Sequence, residues 1–424
     1  MGSEMCIRDR SLSEGRFVFL GMFFLEGVYK MAVKSITQLD LYNKRVLFRF
    51  DFNVPLDAEG VIKDDTRIRR SLPTIQYAID KGARLVLCSH LGRPKGEKKP
   101  ELSLMPVAKK LSELLGREVK FLNDCVGPDV EAAVDALKPG EVVLLENVRF
   151  HPEETKNEPG FSAQLGKLAD VYVNDAFGTA HRAHCSTVGI AELVSQKGAG
   201  LLMKEELENL QKAFQDPKKP VVGIIGGAKV SDKISVLKNI LEKMDAVLIG
   251  GGMANTFLKA MGKEIGLSLV ESDMIDTAQE IMKLASERKC GFFLPEDVVV
   301  APGIDAGQEA RVASIDEIHA NEMALDIGPV TVKKFSSEIE KAGTIVWNGP
   351  MGVFEKEAFK KGTMEIALAI ANSKAFSVIG GGDSVRAVKQ AGVSDKVSYI
   401  STGGGAFMEF MEGKILPGVA ALES

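Results

Sequence analysis

Residues 376–391 read FSVIGGGDSVRAVKQA, an apolar run that ends in three glycines and continues with residues spaced like the first turns of a helix. Glycine lacks a Cβ, so the backbone of such a turn can present its N–H groups to a phosphate at the positive end of the helix. The turn matches neither the lysine-bearing pattern G-x-x-x-x-G-K-[ST] nor the dinucleotide pattern G-x-G-x-x-G. The stretch therefore predicts a phosphate-binding turn of another kind, with Asp383 inside it.

Three further stretches share this design of strand, glycine cluster and helix. They are VVGIIGGAKVSDKISVLKNI at 221–240, AVLIGGGMANTFLKAM at 246–261 and VSYISTGGGAFMEFM at 397–411. One such turn is weak evidence, because glycine between a strand and a helix often serves only tight packing. Four of them in one half of the chain, each at the carboxyl end of a predicted parallel strand, indicate a nucleotide-binding domain.

The chain from Met31 onward alternates short apolar or β-branched runs with longer amphipathic stretches, which is typical of βαβ units and a parallel sheet. In the first half, the predicted strands are 45–50, 84–88, 119–122, 142–145 and 171–173. In the second half, they are 221–225, 246–249, 292–294, 344–346, 376–379 and 397–400. A helix is predicted over 102–115, where apolar residues recur at three and four positions. The sequence predicts an α/β fold of two doubly wound, Rossmann-like domains with a cleft between them.

A chain of 424 residues exceeds the size at which one hydrophobic core keeps growing, so two domains are expected. LLMKEELENLQKAF at 201–214 predicts one connecting helix, and DPKKP at 216–220 ends it. The predicted segments are an extension at 1–30, an anion-binding domain at 31–200, the connecting helix at 201–216, a nucleotide-binding domain at 217–405 and a segment at 406–424 that packs back on the first domain.

The extension does not resemble the rest of the chain. Residues 17–25 form an apolar stretch behind Arg16, but Glu26 interrupts it and no cleavage site of the A-x-A type follows. The stretch is also too short to span a bilayer. We therefore interpret 1–30 as a non-native or disordered leader, with Met31 as the natural first residue.

The composition of the chain limits the kinds of molecule that it is expected to bind. The chain is 45% hydrophobic and 26% charged, and its net charge of −5 argues against nucleic acid or an anionic membrane as a partner. The five cysteines have no C-x-x-C spacing, which favours neither a zinc site nor a disulfide framework and fits a reducing, cytoplasmic setting. A nucleophilic thiol at Cys88 or Cys185 is an alternative to the commoner buried cysteine.

Polar and cationic residues collect at the predicted strand ends of the first half. They are Asp51, Asn53, Arg67, His90, Arg93, Arg149, His181, Arg182 and His184. Ligands of open parallel sheets lie outside the carboxyl ends of the strands, and guanidinium groups match phosphates and carboxylates. This half is therefore predicted to bind a small anion. The pattern H-R-A-H without carboxylate ligands is a poor zinc site, so structural histidines are preferred there.

The second half supplies the cations that the glycine turns lack. Lys229 and Lys233 are four residues apart, so they would share one helix face if GGAKVSDK opened a helix, and both could reach phosphates. A solvated helix face is the alternative. In IVWNGPMGVFE at 345–355, Asn348 belongs to a turn and Glu355 could accept hydrogen bonds from ribose hydroxyls, although taken alone Glu355 is an ordinary surface residue.

Together these residues carry a family resemblance. RFDFNVP, SHLGRPKG, LLENVRFHPEE, NDAFGTAHRAH, GGAKVSDKI, LDIGP, IVWNGPMGVFE, GGGDS and LPGVAAL follow one another in the order and spacing of phosphoglycerate kinases. The chain resembles that family over 31–424. The resemblance implies reversible phosphoryl transfer between 1,3-bisphosphoglycerate and ADP, giving 3-phosphoglycerate and ATP, with Mg²⁺ on the nucleotide. It also implies a cytoplasmic monomer whose cleft closes by hinge bending.

The resemblance further implies a role for individual residues. The residues implied for the triose phosphate are Asp51, Asn53, Arg67, His90, Leu91, Gly92, Arg93, Arg149 and Arg182. Those implied for the nucleotide are Lys229, Lys233, Asn348, Glu355, Gly381, Gly382, Asp383 and Ser384. Those expected to act on the transferring group are Arg67, Lys229, Gly381 and Gly382. Phe50 and Arg386 stand where smaller residues are common in the family, and no role follows for either.

Asp383 is the implied magnesium ligand, directly or through water, and an N-cap role is its alternative. Two rival functions stay open on the residues alone. A nicotinamide-dependent dehydrogenase would need G-x-G-x-x-G after the first strand of the binding domain, where this chain has IIGGAK. A non-catalytic nucleotide-binding module would share the glycine turns without turnover.

Overall fold

The computed structural model describes residues 33–423, so the interpretation of the 1–30 leader lies outside the described residues. These described residues belong to one compact unit of the chain. None of the helices between residues 33 and 423 is long and apolar enough to cross a membrane.

The first half of the described chain builds a parallel sheet of six strands. The strands are β1 (Arg45–Arg49), β2 (Arg84–Cys88), β3 (Val119–Phe121), β4 (Val142–Leu144), β5 (Val171–Asn174) and β6 (Lys197–Ala199). The α-helices are α1 (Thr66–Asp80), α2 (Met105–Leu115), α3 (Pro128–Asp135), α4 (Pro159–Gly166), α5 (Ile190–Leu193) and α6 (Leu201–Phe214). The strand order is β3-β4-β2-β1-β5-β6, so the chain reverses direction across the sheet between β1 and β5.

The second half builds another six-stranded parallel sheet, of order β15-β14-β13-β7-β8-β9. The strands of this half are β7 (Val221–Ile225), β8 (Ala246–Ile249), β9 (Gly291–Phe293), β10 (Asp297–Ala301), β11 (Arg311–Ser314), β12 (Met323–Ile327), β13 (Thr344–Asn348), β14 (Phe376–Gly380) and β15 (Tyr399–Ile400). The α-helices are α7 (Ile234–Ile240), α8 (Gly252–Ala260), α9 (Ile275–Glu287), α10 (Pro329–Lys341), α11 (Lys361–Asn372), α12 (Gly382–Gln390), α13 (Gly405–Met411) and α14 (Pro417–Ala420). The two sheets confirm the predicted fold class.

Two features of the fold were missed by the sequence pattern. β10, β11 and β12 form a separate three-stranded antiparallel sheet, and β6 adds an edge strand to the first sheet. β11 and the first residues of β12 are partly exposed, so they lack the apolar runs that mark the buried parallel strands. The helix predicted at 102 begins only at Met105, after a short turn of 3₁₀ helix.

Helix α6 follows the predicted bounds and lies between the two sheets in the chain. Its buried residues Met203, Leu207 and Leu210 belong to one apolar cluster that includes Leu47 on β1 and Val346 on β13. The hydrophobic core therefore runs without interruption from the first sheet through α6 to the second.

One buried carboxylate fastens α6 to the second sheet. Glu206 is fully buried and accepts hydrogen bonds from Ser401 Oγ at 2.9 Å, from Thr402 N at 2.6 Å and from Thr402 Oγ1 at 2.6 Å. Burial raises the pKa of Glu206, and these three donors act in the opposite direction. The loop that follows β15 is thereby tied to the connecting helix.

The C-terminal segment contacts the first half of the chain. The N–H of Gly418 on α14 donates to the carbonyl of Ala180 at 2.8 Å, and Leu416 and Val419 join the same apolar cluster as Ala180. The division into domains at 31–200 and 217–405 remains a prediction.

We expect Glu206→Ala to lower the free energy of unfolding by about 2 kcal/mol, because it leaves buried donors of Ser401 and Thr402 unpaired. Urea unfolding followed by the fluorescence of the single, buried Trp347 measures the effect. Glu208→Ala is the matched control on the same helix, since Glu208 is 63% exposed and pairs only with Lys204 at 3.5 Å. Equal effects of the two substitutions would contradict the anchoring role of Glu206.

Candidate active site

The site lies where the strand order of each sheet reverses. In the second sheet the chain runs outward from β7 to β9 and then returns to place β13 on the other side of β7. In the first sheet the same reversal places β5 beside β1. Crevices outside the carboxyl ends of such neighbouring strands are the usual ligand sites of open parallel sheets. Most of the predicted site residues follow these strands.

The reversal in the second sheet opens a cavity of about 320 Å³, here called the phosphate cavity. Residues from three of the four glycine turns line it: Gly226 and Gly227 after β7, Gly381 and Gly382 after β14, and Gly404 after β15. Lys229, Lys233, Asn348, Asp383 and Ser384 line it too. The structure therefore brings together all the residues predicted for the nucleotide except Glu355, which lines the adjoining cavity.

The backbone at Gly381 shows why this turn needs glycine. Its φ is +89°, and a Cβ there would lie 2.7 Å from Nδ2 of Asn348. That amide donates to the carbonyl of Gly380 at 2.9 Å, so a side chain at position 381 would break the contact between β13 and the turn. The turn leads directly into α12, whose first N–H groups face the cavity mouth.

The two lysines reach the cavity by a different route from the one predicted. The helix after β7 begins at Ile234, and residues 231–233 form a turn, so the expectation that Lys229 and Lys233 share a helix face is wrong. Both lysines nevertheless line the phosphate cavity, because the loop itself wraps around it.

Lys233 is a partly buried cation of this cavity. Its Nζ donates to Oδ1 of Asn348 and lies 3.3 Å from Sδ of Met408. Burial lowers the pKa of Lys233 to about 8, although Asp232 and Asp383 act in the opposite direction. Lys229 is exposed at the cavity rim. The site thus offers an anion one partly buried and one exposed ammonium group.

Asp383 and Ser384 occupy the first turn of α12. The N-cap of that helix is Gly381, and no side chain caps it, so the N-cap interpretation of Asp383 is wrong. Asp383 instead accepts a hydrogen bond from Nη2 of Arg386 at 3.0 Å. Ser384 is fully buried, and its Oγ accepts from the N–H of Gly349 at 2.6 Å, which fixes the turn after β13.

A second cavity of about 660 Å³ adjoins the phosphate cavity and shares Gly227, Ala228, Pro350 and Asp383 with it. Its other walls are largely apolar and come from α8, β12 and the loop after β13. Glu355 lies at this cavity with about half of its side chain exposed. A flat, apolar group joined to a phosphate chain would fit across the two cavities.

Asp326 on β12 lines the apolar cavity and was missed by the sequence pattern. Its Oδ2 accepts from the N–H of Gly362 at 2.6 Å, while Oδ1 has no hydrogen-bond partner among the described residues. Burial raises the pKa of Asp326 to about 7. Asp326 lies in the motif LDIGP, but nothing in that motif indicated that its carboxylate is buried at a cavity.

In the first sheet, the residues after β1 and β2 are joined by hydrogen bonds. Nη1 of Arg67 contacts Oδ2 of Asp51 at 2.6 Å, and Oδ1 of Asn53 accepts from the N–H of Gly92 at 2.8 Å. The N–H of Asn53 also donates to Oδ1 of Asp51 at 3.2 Å, which is the turn chemistry offered as the alternative role of this pair. Leu91 is buried beside Gly92.

His90 is a neutral hydrogen-bond donor. Its Nδ1 lies 3.1 Å from Nη2 of the buried Arg49, and because arginine can only donate, the ring hydrogen must be on Nε2. Burial, and then Arg49 and Arg149, hold the pKa of His90 well below its ordinary value. Arg49 was missed by the sequence pattern, since it lies inside an apolar strand where a charged residue is not expected.

The remaining arginines differ in burial. Arg149 is almost buried, donates to the carbonyl of Gly92 at 2.9 Å and leaves its Nε unpaired. Burial, with Arg49 and Arg182 nearby, lowers the pKa of Arg149 to about 10. Arg182 is exposed and donates to Nε2 of His181 at 3.0 Å, and Arg93 is exposed. Cations this close together repel one another, and a bound anion would reduce that repulsion.

Within the described residues, neither metal binding by His181 and His184 nor a nucleophilic thiol at Cys88 or Cys185 is supported. Within residues 33–423, the group spaced for a metal ion is Asp124, Cys125 and His151, which excludes His181 and His184. Burial raises the pKa of Cys88 to about 12 and also raises the pKa of Cys185, so neither thiol is prepared as a nucleophile.

One short segment borders both sites. Thr402 lines a small recess with Asp51 and Arg67, and Gly404, two residues later, lines the phosphate cavity. Gly403, between them, packs against Phe177 of the first half. The anion site of the first sheet and the phosphate cavity of the second therefore face a common stretch of backbone.

Comparison with known families and with curated proteins identifies the family of this chain. The family model described as phosphoglycerate kinase matches residues 36–414. A phosphoglycerate kinase of Moorella thermoacetica is 58% identical over 392 residues, covering 92% of this chain and 99% of the relative. One of Koribacter versatilis is 56% identical over 400 residues, again covering 92% of this chain and 99% of the relative.

Solved structures agree. That of phosphoglycerate kinase from Coxiella burnetii superposes with a TM-score of 0.86 at 46% identity, covering 92% of this chain and 98% of the other. That from Pyrococcus horikoshii gives a TM-score of 0.78 at 36% identity, with the same coverage. With its two sheets, its glycine turns and its basic first-half site all in place, the chain belongs to the phosphoglycerate kinase family.

Proposed function

We propose how the individual residues of this kinase carry out its reaction, the reversible transfer of a phosphoryl group between 1,3-bisphosphoglycerate and ADP. The observation that supports the assignment best is the segment from Thr402 to Gly404, which borders the recess of Asp51 and Arg67 on one side and the phosphate cavity on the other. A phosphoryl group passing from one ligand to the other would cross this segment.

The nucleotide would lie in the two adjoining cavities of the second half. The apolar cavity takes the base, Glu355 accepts hydrogen bonds from the ribose, and the phosphates enter the phosphate cavity. There the phosphates would contact Lys233 and Asn348 at the floor of the cavity and Lys229 at its rim. The N–H groups of Gly381 and Gly382, at the start of α12, would donate hydrogen bonds to them. Ser384 holds the neighbouring turn in place.

The triose phosphate would lie against the first sheet. Asp51 and Asn53 contact the glycerate hydroxyl and backbone. The phosphate and carboxyl ends face the neutral donor His90 and the cationic Arg93, Arg149 and Arg182, together with Leu91 and Gly92 beside them. The unpaired Nε of Arg149 and the Nε2 hydrogen of His90 support this, since both are donors. Arg67 lines the same recess as Thr402 of the second half, and it is assigned to the transferring group.

Asp383 is the proposed ligand of the nucleotide's Mg²⁺. Its carboxylate is 61% exposed at the cavity mouth and is not used to cap α12, which fits an ion that takes one or two protein carboxylates and completes its shell with phosphates and water. Bound there, the ion would neutralise charge on the phosphates.

The reaction needs no general base from the protein. The acceptor is a carboxylate, which is already ionised at neutral pH with a pKa near about 4. The residues therefore have to position two anions in line and neutralise the charge of the transferring group, for which lysine, arginine and helix N-termini are suited. The neutral His90 agrees with this, because it serves as a donor and not as a base.

Further proposals concern the setting, the partners and the domains of the protein. The four described cysteines, Cys88, Cys125, Cys185 and Cys290, are free and buried, which supports a cytoplasmic setting. A monomer without nucleic-acid or membrane partners is proposed from the charge and the family resemblance. The division into two domains that close around the α6 connector is proposed from the shared segment at Thr402.

The reaction is tested by coupling ATP formation from ADP and 1,3-bisphosphoglycerate to a spectrophotometric readout. We expect turnover by the wild type and a decrease in kcat of about a hundredfold in Lys229→Ala, because one cation of the transition state is lost. Lys238→Ala, an exposed lysine on α7, is the matched control and should keep its activity. If Lys229 only bound nucleotide, Lys229→Ala would weaken nucleotide affinity with no change in kcat, and inactive folded wild type would refute the proposal.

The pKa of Lys233 near 8 predicts an alkaline limit. Below that pH the ammonium is charged and attracts the phosphates; above it the charge is lost, so kcat/KM for ADP should fall by up to about tenfold per pH unit. Lys233→Arg keeps its charge in this range, and its profile should remain flat even if its activity is lower. A decline of the same steepness in Lys233→Arg would assign the limit to another group.

Closure of the cleft is tested by small-angle X-ray scattering. We expect the radius of gyration to decrease when 3-phosphoglycerate and a non-hydrolysable ATP analogue are both present, because water must be excluded from the transfer. Samples with each ligand alone are the controls. Identical profiles with and without both ligands would contradict hinge bending around α6.

A further inference from the structure

Arg386 on α12 holds the two acidic residues of the nucleotide site together. Its Nη2 contacts Oε1 of Glu355 and lies 3.0 Å from Oδ1 of Asp383. The contact with Glu355 spans the loop after β13 and the helix after β14, whereas Asp383 is one helical turn away on the same helix. One guanidinium therefore serves two carboxylates that the proposed function assigns to different parts of the nucleotide.

The guanidinium of Arg386 is held in its orientation before nucleotide binds. It lies over the ring of Phe354 at 4.7 Å from the ring centroid, and Phe354 is itself buried in the core of the second half. A cation stacked on a fixed aromatic ring loses little freedom on making its hydrogen bonds. Arg386 is thus placed at the mouth of the apolar cavity by the fold, and not by its contacts with the carboxylates alone.

The charge balance shows what this contact does before nucleotide arrives. Glu355 and Asp383 both line the apolar cavity and both carry negative charge, which would repel an incoming polyphosphate. Lys233, which lines the phosphate cavity, is a further cation that interacts with Asp383. Arg386 is the cation that contacts Glu355 as well as Asp383, and it occupies the Oδ1 of Asp383 that a metal ion could use.

We propose that Arg386 is an internal counter-ion of the nucleotide site that competes with the metal ion for Asp383 and supplies positive charge to nucleotide that carries no metal. This inference rests on the proposed assignment of Asp383 to Mg²⁺. Arg386 is a positioning residue in this role, since it acts through Glu355 and Asp383. Its consequence is a smaller difference in affinity between metal-bound and metal-free nucleotide than the same site would show without it.

The difference is measured by isothermal titration calorimetry with ADP, once with excess Mg²⁺ and once with EDTA. The readout is the ratio of the metal-free Kd to the Kd with Mg²⁺. Arg386→Ala should raise this ratio by about threefold to tenfold, because half-exposed ion pairs each change affinity by up to about fivefold and two carboxylates are involved. Metal-free ADP should bind more weakly, while ADP with Mg²⁺ binds equally well or better. Arg386→Lys, which keeps the charge but not the fork, should fall in between.

Arg288→Ala is the matched control. Arg288 pairs with Glu242 at 3.0 Å with the same half exposure, but it lies next to β9 at the amino edge of the sheet, away from the glycine turns. Its ratio should equal that of the wild type. A ratio in Arg386→Ala equal to that of the wild type would overturn the inference alone.

Asp383→Asn separates this failure from a failure of the proposed function. If Asp383 binds the metal, the ratio in Asp383→Asn should fall towards one. A ratio that Asp383→Asn leaves unchanged would overturn the assignment of the metal to Asp383 and the inference that rests on it. Circular dichroism of each variant confirms that the comparison is made between folded proteins.

Discussion

The structure depends on unobstructed backbone N–H groups at one edge of a parallel sheet. A polyphosphate can approach a helix start only where no Cβ intervenes, and the turns after β7, β8, β14 and β15 all meet this condition with glycine. Because the strands are parallel, these turns lie at the same edge. The reversal of strand order between β7 and β13 then opens that edge into a cavity. Fold and binding site thus have a common cause.

The second requirement is that two separate sheets present their ligands to each other. Helix α6 meets it by carrying one apolar face that belongs to the core of both halves. Glu206 adds a directional contact, since its three hydrogen bonds specify where the loop after β15 must lie. Apolar packing alone is not directional and would not fix a loop in this way. The segment that borders both sites is therefore held by a buried charge.

The sequence predicted the buried part of this protein well and the exposed part poorly. β2, β7, β8 and α6 follow their predicted bounds because each is a compact apolar run or an amphipathic stretch with a clear end. The antiparallel sheet of β10 to β12 was missed since β11 and the first residues of β12 are partly exposed. The site residues were located by their position after strands, but the local path of the chain at Lys229 and Lys233 was wrong because the helix after β7 begins only at Ile234. Arg49 and Asp326 lie in the motifs RFDFNVP and LDIGP, but no role was assigned to them because their burial could not be read from the sequence.

The anchoring of Thr402 has a consequence for how the two substrates influence each other. Its N–H and hydroxyl are fixed to Glu206, while its carbonyl would be near a Cβ at Gly178, beside Asp51. The loop therefore contacts the surroundings of both ligands at once. If a ligand on one side displaces it, linkage requires reciprocity: to whatever degree nucleotide alters the affinity for the triose phosphate, the triose phosphate alters the affinity for nucleotide by the same factor. The backbone that joins the two sites would then carry that coupling in both directions.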